Sequence, residues 1–217
     1  MAEILKCNAL SKSYGHIKAL NNVNLTLESG RIVGLLGPNG SGKTTIIKLI
    51  NGLLTPDAGQ VTICGLAPSP ESKAIVAYLP DSIYLNTWMS VQQIVDYFAE
   101  FYADFRKELA MEMLQRLGVS PKQKLKTLSK GNKEKVCLIL TMSRNAKLYV
   151  LDEPIAGVDP AARDYVISTH LIADIEPILD EVVFLQNGKV VLQKEVEAIR
   201  EEEGKSIDEL FREVFKW

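Results

Sequence analysis

The sequence predicts an α/β protein in which a mixed β-sheet is flanked by helices and interrupted by a helical insertion. Three observations carry this prediction. A short apolar strand, residues 31–36, runs into a glycine-rich loop and then into a helix. A second apolar run, residues 147–151, ends in two carboxylates. Between these two, residues 84–145 carry three stretches of helical periodicity, which is typical of an inserted subdomain.

Turn and cap residues place the remaining elements around this frame. Ser90 and Asp104 precede the first two helical stretches and are predicted to be their N-caps, and the third stretch is predicted to begin near Ser129. Asn187-Gly188 predicts a hairpin between residues 181–185 and 189–193. The other predicted strands are 3–8 and 23–27, which we expect to be antiparallel, then 60–64, 75–79 and 166–169, with a closing amphipathic helix at 207–215. We therefore predict a core of residues 1–83 and 146–217, with 84–145 as the helical subdomain.

Composition and charge narrow the class of protein. The 217 residues are 47% apolar and 24% charged, which fits one globular α/β domain. The net charge of -2 provides no general basic field, so we expect no nucleic-acid partner. No apolar run reaches the ~20 residues that cross a bilayer, and the N-terminus lacks a signal-peptide layout. Three scattered cysteines suit a reducing compartment. We expect a cytoplasmic protein that reaches a membrane only through a partner.

The glycine-rich loop matches the pattern G-x-x-x-x-G-K-[ST] without a mismatch. Its glycines allow backbone N–H groups to converge on phosphate oxygens, Lys43 supplies a positive charge for the β- and γ-phosphates, and the Thr44 hydroxyl can ligate Mg2+. A plain glycine-rich turn is the alternative, but a strand before the loop and a helix after it favour nucleotide binding. The candidate residues are Gly37, Pro38, Asn39, Gly40, Ser41, Gly42, Lys43 and Thr44.

The two carboxylates at the end of the second apolar run are Asp152 and Glu153. Ligands of open α/β sheets bind at the carboxyl ends of the strands, so both acids are expected near the phosphate loop. Asp152 would lie near Mg2+, directly or through water, and Glu153 could deprotonate the attacking water. An acid pair in a solvated turn is the alternative for this feature taken alone.

The order of these motifs resembles the ATP-binding cassette (ABC) family over nearly the whole chain, and so implies a P-loop NTPase core. Tyr14 resembles the aromatic residue that stacks on adenine, and the phosphate loop continues to Thr45. Leu128-Ser129-Lys130-Gly131-Asn132 resembles the family signature, usually Leu-Ser-Gly-Gly-Gln. Asp159 lies in a stretch that resembles the loop crossing the dimer interface, and His170 resembles the switch histidine.

The resemblance implies a head-to-tail dimer that encloses two Mg-ATP molecules. Each subunit would offer its phosphate loop to one nucleotide and its signature, Ser129, Lys130, Gly131 and Asn132, to the other. Ser129 stands where a helix begins, so its free N–H groups and positive dipole end suit a γ-phosphate from across an interface. A plain helix N-cap is the alternative for Ser129.

Three substitutions depart from the family pattern near the site. Lys130 replaces a signature glycine and Asn132 the glutamine, so Lys130 either adds charge near the γ-phosphate or is simply solvated. Asp81 stands where the family usually has glutamine. Its carboxylate can bind Mg2+ or its waters, which makes Asp81 a candidate catalytic and metal residue, and a turn residue after proline is the alternative.

A further departure is that His170 follows the carboxylate strand too soon. The family places a full helix between this strand and the next, whereas here the loop up to Pro160 takes most of the segment. A parallel crossover needs about a dozen residues and usually a helix. We hypothesise that residues are missing from this sequence near Tyr165-Val166. An intact mass near 24.1 kDa for the purified protein would instead establish a genuine deletion between Asp159 and Ser168.

The function predicted from these motifs is ATP hydrolysis that drives export through a separate integral membrane permease, with the chain peripheral on the inner face of the membrane. The motif style resembles cassettes of drug and antibiotic-peptide exporters. A soluble ABC ATPase that acts on a cytosolic complex is the alternative, and a nucleotide-binding module with little hydrolysis is a third. The aromatic-rich stretch between Tyr84 and Phe105 is predicted to form subdomain core or, alternatively, a groove for a membrane-subunit helix.

Overall fold

A computed structural model describes residues 2–154, 164–169 and 171–216 of the chain. Its strands are β1 (Glu3–Tyr14), β2 (Ile17–Glu28), β3 (Ile32–Leu36), β4 (Ala58–Ile63), β5 (Val76–Leu79), β6 (Leu148–Asp152), β7 (Tyr165–Ser168), β8 (Glu181–Gln186) and β9 (Lys189–Glu195). Its α-helices are α1 (Lys43–Ile50), α2 (Pro70–Ala74), α3 (Val91–Phe101), α4 (Lys107–Arg116), α5 (Lys130–Met142), α6 (Ile172–Ile175), α7 (Val196–Glu203) and α8 (Ile207–Phe215).

The described strands form two sheets. A three-stranded antiparallel sheet has the order β2-β1-β4, and a six-stranded sheet has the order β5-β6-β7-β3-β8-β9. In the larger sheet β5, β6, β7, β3 and β8 are parallel, and only β9 is antiparallel. The carboxyl ends of five parallel strands therefore share one edge, where ligands of α/β proteins bind.

Burial on both faces explains the composition of the central strands. Every residue of β3, β6 and β7 is buried, which suits near-continuous apolar runs in parallel strands. One face packs on α1 and the three-stranded sheet, and the other packs on α8 and the apolar end of α5. The acid and hydroxyl at the ends of β6 and β7 are consequently held in rigid, dry surroundings.

The helical region, which we define as α3, α4 and α5 between β5 and β6, has an apolar cluster of its own. Val91, Phe98, Leu114, Val136 and Leu140 belong to this cluster and are almost fully buried. Helical spacing of apolar side chains on each helix turns these residues inward. The chain passes from the larger sheet into this region after β5 and returns to the sheet at β6.

The structure confirms the predicted fold class and the order of its main elements, with differences that have local causes. The strands β1 and β2 extend further than predicted, because bulged pairing continues to Tyr14↔Ile17. The short helix α2 was not predicted, because its residues lie in a segment that was assigned to a loop. It begins at a Ser69 capping box and has proline in its first turn. Helix α7 follows β9 without a side-chain cap and was not predicted.

One predicted helix cap is wrong. Asp104 does not cap α4, because its carboxylate accepts a hydrogen bond from Arg144 Nε at 2.5 Å. The N-cap of α4 is Arg106, which makes no side-chain cap hydrogen bond. A partner 40 residues away along the chain has overridden a local preference.

Strand β7, predicted at residues 166–169, lies at Tyr165–Ser168, and in the larger sheet it stands between β6 and β3. The connection from β6 to β7 is residues 153–164, and residues 155–163 lie outside the described part of the chain. Within the described ranges, no helix is long and apolar enough to cross a lipid bilayer.

Candidate functional site

The glycine-rich loop lies between β3 and α1, at the edge where the parallel strands end. Gly40 and Gly42 have φ angles of 80° and 112°, a region that favours glycine. A Cβ atom at Gly37 would lie 2.3 Å from the carbonyl oxygen of Leu185, and one at Gly42 would lie 2.6 Å from that of Ala19. At these positions the path of the loop therefore requires glycine.

Lys43 begins α1 and turns its ammonium group back into the loop. Its Nζ donates hydrogen bonds to the carbonyl oxygens of Gly37 at 2.7 Å and Pro38 at 3.3 Å. Burial lowers the pKa of Lys43, while the nearby charges of Glu153 and Asp152 raise it. A cation held beside the free amides of a helix start is suited to bind phosphate oxygens.

The remaining side chains of the loop are arranged for polar contacts. Ser41 Oγ is buried and has no hydrogen-bond partner among the described residues. A buried hydroxyl of this kind calls for a ligand or water to satisfy it. Thr44 is exposed and Thr45 is half-buried in the first turn of α1, so the Thr44 hydroxyl is accessible to a ligand.

Asp152 and Ser168 meet at the ends of two neighbouring parallel strands. In this register Asp152 pairs with Ser168, and Ser168 Oγ donates a hydrogen bond to Asp152 Oδ1 at 2.5 Å. The other carboxylate oxygen, Oδ2, is buried without a partner among the described residues. Glu153 follows with its amide donating to the carbonyl oxygen of Ser168 at 2.9 Å, which holds it at the tip of β6.

The charges of the predicted acids are close enough to affect the pKa of Asp152. Burial raises the pKa of Asp152, the hydrogen bond from Ser168 lowers it, the negative charges of Asp81 and Glu153 raise it further, and Lys43 lowers it. The structure thus brings together Asp81, Asp152 and Glu153 with the lysine of the loop. In the described part of the chain, no group of three or more acidic, histidine or cysteine side chains is arranged to hold a metal by itself. A cation here would take further oxygens from a phosphate ligand and water, as Mg2+ commonly does.

The tip of α5 is open to solvent. The Ser129 side chain accepts a hydrogen bond from the Asn132 amide at 3.3 Å, so it caps the helix, which was the alternative role for this residue. Gly131 is exposed, and a Cβ added there would meet no atom within 4 Å. The Lys130 side chain is 86% exposed and lies 3.9 Å from Glu134. The four predicted signature residues are therefore together on a surface that a second molecule can reach.

Tyr14 ends β1 with 48% of its surface exposed. Asp57 supports this strand end, since its carboxylate accepts hydrogen bonds from Lys12 Nζ at 2.7 Å and from the Ser13 amide at 2.6 Å. The same hairpin continues to Ala19, whose carbonyl packs against the phosphate loop. An exposed aromatic ring on a hairpin that contacts the loop through Ala19 can stack on a nucleobase.

Two predicted site residues, Asp159 and His170, lie outside the described residues. Sequence reasoning missed two others that are described, Ser168 and Gly188. Ser168 orients Asp152, and its signal is a hydroxyl at the end of an otherwise apolar strand. Gly188, in the β8–β9 turn, donates its amide to the Ser41 carbonyl oxygen at 2.9 Å and so supports the loop. This contact joins elements distant in sequence, so no local pattern reveals it.

Comparisons with known proteins agree with this geometry. A family described as ABC transporter matches residues 20–156. The chain is 31% identical to the uncharacterized ABC transporter ATP-binding protein YdbJ of Bacillus subtilis (strain 168), covering 97% of this chain and 75% of the relative. That alignment spans 236 residues and is longer than the chain itself, so it contains gaps in this chain.

Two further similarities concern a transport protein and a solved structure. The chain is 27% identical to the lantibiotic transport ATP-binding protein SrtF of Streptococcus pyogenes, covering 96% of both chains. It is also similar to a solved ATP-binding subunit of an ABC transporter, with a TM-score of 0.86 and 29% identity over 98% of this chain and 99% of the other.

We expect Asp152→Asn to remove part of the pH dependence of stability in the ligand-free protein. Because burial raises the folded-state pKa of Asp152, its protonated form stabilises the fold below the unfolded pKa, and this contribution is lost as pH rises through the folded pKa. Thermal unfolding from about pH 4 to about pH 8, without nucleotide or Mg2+, measures the effect. The wild type should lose stability relative to the variant as pH rises, and a pH-independent difference would contradict this. Glu201→Gln, which neutralises an exposed carboxylate, is the matched control.

Proposed function

This chain belongs to the ABC transporter family, and we propose that it is the ATP-hydrolysing subunit of a transporter that exports its cargo through a separate integral membrane subunit. One observation carries the ATPase part of this proposal. The buried Lys43 of the glycine loop and the acids Asp81, Asp152 and Glu153 share one electrostatic environment at the carboxyl edge of the sheet. Phosphoryl transfer needs these two kinds of group within one site.

In the proposed complex, Tyr14 stacks on the adenine and the residues from Gly37 to Thr45 surround the phosphates. Lys43 exchanges its carbonyl contacts within the loop for phosphate oxygens. Thr44, Asp81 and Asp152 would hold Mg2+, Asp152 directly or through water. The unsatisfied buried oxygen of Asp152 and the accessible Thr44 hydroxyl support this assignment. When bound, Mg2+ would supply positive charge that offsets the charge developing on the phosphate oxygens.

Glu153 is the proposed general base. Its position at the tip of β6, next to the buried Asp152, supports a role for this carboxylate beside the proposed γ-phosphate site. There it would orient water and accept its proton as the water attacks. Asp81, and His170 outside the described residues, are the proposed further catalytic groups. This assignment favours hydrolysis over the alternative of a binding module, since the chain retains the acid that hydrolysis requires.

The open tip of α5 supports a head-to-tail dimer around two ATP molecules. Ser129 and the first amides of α5 would contact the γ-phosphate held by the other subunit, with Lys130, Gly131 and Asn132 beside it. Asp159 would belong to the loop that crosses this interface. We treat residues 84–145 as the helical subdomain that carries the tip and residues 1–83 and 146–217 as the nucleotide-binding core.

We expect Glu153→Gln to lower kcat for ATP by about 100-fold or more, as loss of a general base does. The variant should still bind Mg-ATP, because the loop is unchanged. It should therefore accumulate an ATP-dependent dimer, measured by size-exclusion chromatography with ATP and Mg2+. Glu201→Gln makes the same charge change on an exposed helix and should keep wild-type turnover. Unchanged turnover in Glu153→Gln would rule out the base role.

Exposed aromatic rings on α3 support a membrane partner. Tyr97 and Phe101 are 55% and 65% exposed, and their rings stack with centroids 5.9 Å apart. Phe98, between them in sequence, is buried in the core of the helical region. The aromatic stretch is thus divided between core and surface. Stacked exposed rings are typical of a docking surface, and we propose that they bind a cytoplasmic helix of the permease. This would hold the chain on the inner face of the cell membrane.

We expect purified chain with ATP to recover an integral membrane protein from membranes of the source cell. The double substitution Tyr97→Ser with Phe101→Ser should lower this recovery about ten-fold, since a few buried aromatic anchors dominate binding at most interfaces. Val191→Ser, on exposed strand β9, should leave recovery unchanged. Recovery of a ribosome or a cytosolic assembly complex, with no membrane protein, would favour the soluble ABC ATPase over the transporter.

A further inference from the structure

Arg144 lies where the helical region rejoins the larger sheet, two residues after the end of α5. Only 3% of its surface is exposed, which is rare for arginine unless its charge is paired. Its guanidinium donates to Asp104 Oδ1 at 2.5 Å, to the Ala74 carbonyl oxygen at 2.7 Å and to the Val76 carbonyl oxygen at 3.4 Å. The guanidinium carbon also lies 3.8 Å from the centroid of the Tyr102 ring.

These contacts divide evenly between two parts of the fold. Asp104 and Tyr102 belong to the connection between α3 and α4, within the helical region. Ala74 and Val76 belong to the end of α2 and the start of β5, in the core. A single planar cation therefore joins the helical region to the core strand that leads to Asp81.

The backbone carbonyl of Arg144 also connects the helical region with the core. Its carbonyl oxygen accepts hydrogen bonds from the Tyr149 hydroxyl of β6 at 2.6 Å and from Arg106 Nη2 at the start of α4 at 3.2 Å. The Arg106 amide also donates to the Ser143 carbonyl oxygen at 2.8 Å. We call this set of contacts around Arg144 the junction clamp.

The chemistry of the junction clamp is specific to arginine. Lysine keeps the charge but is a single point with three donors, and it cannot direct a planar fork to three acceptors while it stacks on a ring. Asp104 Oδ2 already has no hydrogen-bond partner among the described residues, so a weaker pair leaves this carboxylate poorly satisfied. Loss of one partner of a buried ion pair is normally strongly destabilising.

A small rotation of α5 about the junction would displace its Ser129 tip by a large distance. Helix α5 has 13 residues, so its Ser129 tip lies about 20 Å from the clamp. A tilt of about 10° would move the tip by about 3.5 Å, which exceeds the whole range of distances that make a hydrogen bond. In a head-to-tail dimer each subunit closes one site with its tip while its own site is closed by the other tip. The position of the tip relative to the subunit's own site therefore decides whether both sites can close together.

We infer that Arg144 is a positioning residue for ATP hydrolysis, which fixes the Ser129 tip of α5 relative to the strand leading to Asp81 so that both sites of the dimer can close together. The inference rests on the proposed head-to-tail dimer. It assigns to Arg144 no contact with nucleotide. Its loss should therefore leave the affinity of the subunit for Mg-ATP intact and weaken the steps that require two subunits.

The test uses Arg144→Lys, with Arg116→Lys as matched control. Arg116 lies in α4, its side chain is 78% exposed, and it pairs with Glu112 on the surface. For folded Arg144→Lys we expect Mg-ATP affinity within about three-fold of wild type, kcat at saturating ATP at least about ten-fold lower, and a matching loss of dimer in the Glu153→Gln background. Arg116→Lys should match wild type throughout.

Tyr102→Leu provides a second variant in case Arg144→Lys does not fold, because it keeps the ion pair and removes only the ring beneath the guanidinium. It should lower kcat and dimer formation about two- to five-fold at unchanged Mg-ATP affinity. Wild-type kcat and dimer formation in the folded variants would overturn the role of Arg144, as would a loss of Mg-ATP affinity equal to the loss of kcat. If Glu153→Gln alone forms no dimer with ATP, the proposed dimer itself fails, and that outcome is separate from any effect at Arg144.

Discussion

The architecture of the site depends on one constraint, the close approach of the glycine-rich loop to two neighbouring backbone segments. Gly37 packs against the Leu185 carbonyl at the end of β8, and Gly42 packs against the Ala19 carbonyl near the start of β2. The β8–β9 turn adds the hydrogen bond from the Gly188 amide to Ser41. The loop is thus held between the two sheets, and the larger sheet can present the proposed phosphate site only while the smaller sheet stays packed beside it.

This constraint explains why the polar groups of the site are held in position in the ligand-free protein. Lys43 is buried against loop carbonyls, and Ser41 Oγ has no hydrogen-bond partner among the described residues. The ionisable carboxyl group of Asp152 is buried at the end of β6. Each of these features opposes folding, since moving a charged or unsatisfied polar group out of water costs free energy. The fully buried apolar strands around them offset that cost. Rigid, pre-arranged polar groups of this kind are what a binding site needs from its scaffold.

The sequence predicts well what is encoded locally and poorly what depends on register or distant contact. The pattern from Gly37 to Thr44 specifies a loop and helix start within eight residues, and Ser129 specifies the start of α5 by its own side chain. The pairing of Ser168 with Asp152 requires the strand order of the folded sheet, which no local pattern contains. Asp104 shows the limit most clearly, because its position before a helix indicates a cap while its carboxylate is bound by Arg144 from the far end of the helical region.

The strands β6 and β7 also depend on contacts with residues distant in sequence. An extended chain advances about 3.3 Å per residue, so about a dozen residues reach about 40 Å, whereas a return along a strand of this length needs only about 17 Å. The dozen residues between β6 and β7 are therefore long enough to reach the start of β7. The end of α5 covers the sheet face over β6 and β7, since the Tyr165 hydroxyl contacts Met142 Sδ at 3.7 Å and the Tyr149 hydroxyl binds the Arg144 carbonyl. The end of α5 that covers this part of the core is thus also the end that anchors the Ser129 tip. Packing of the sheet and orientation of the tip are consequently linked in this chain.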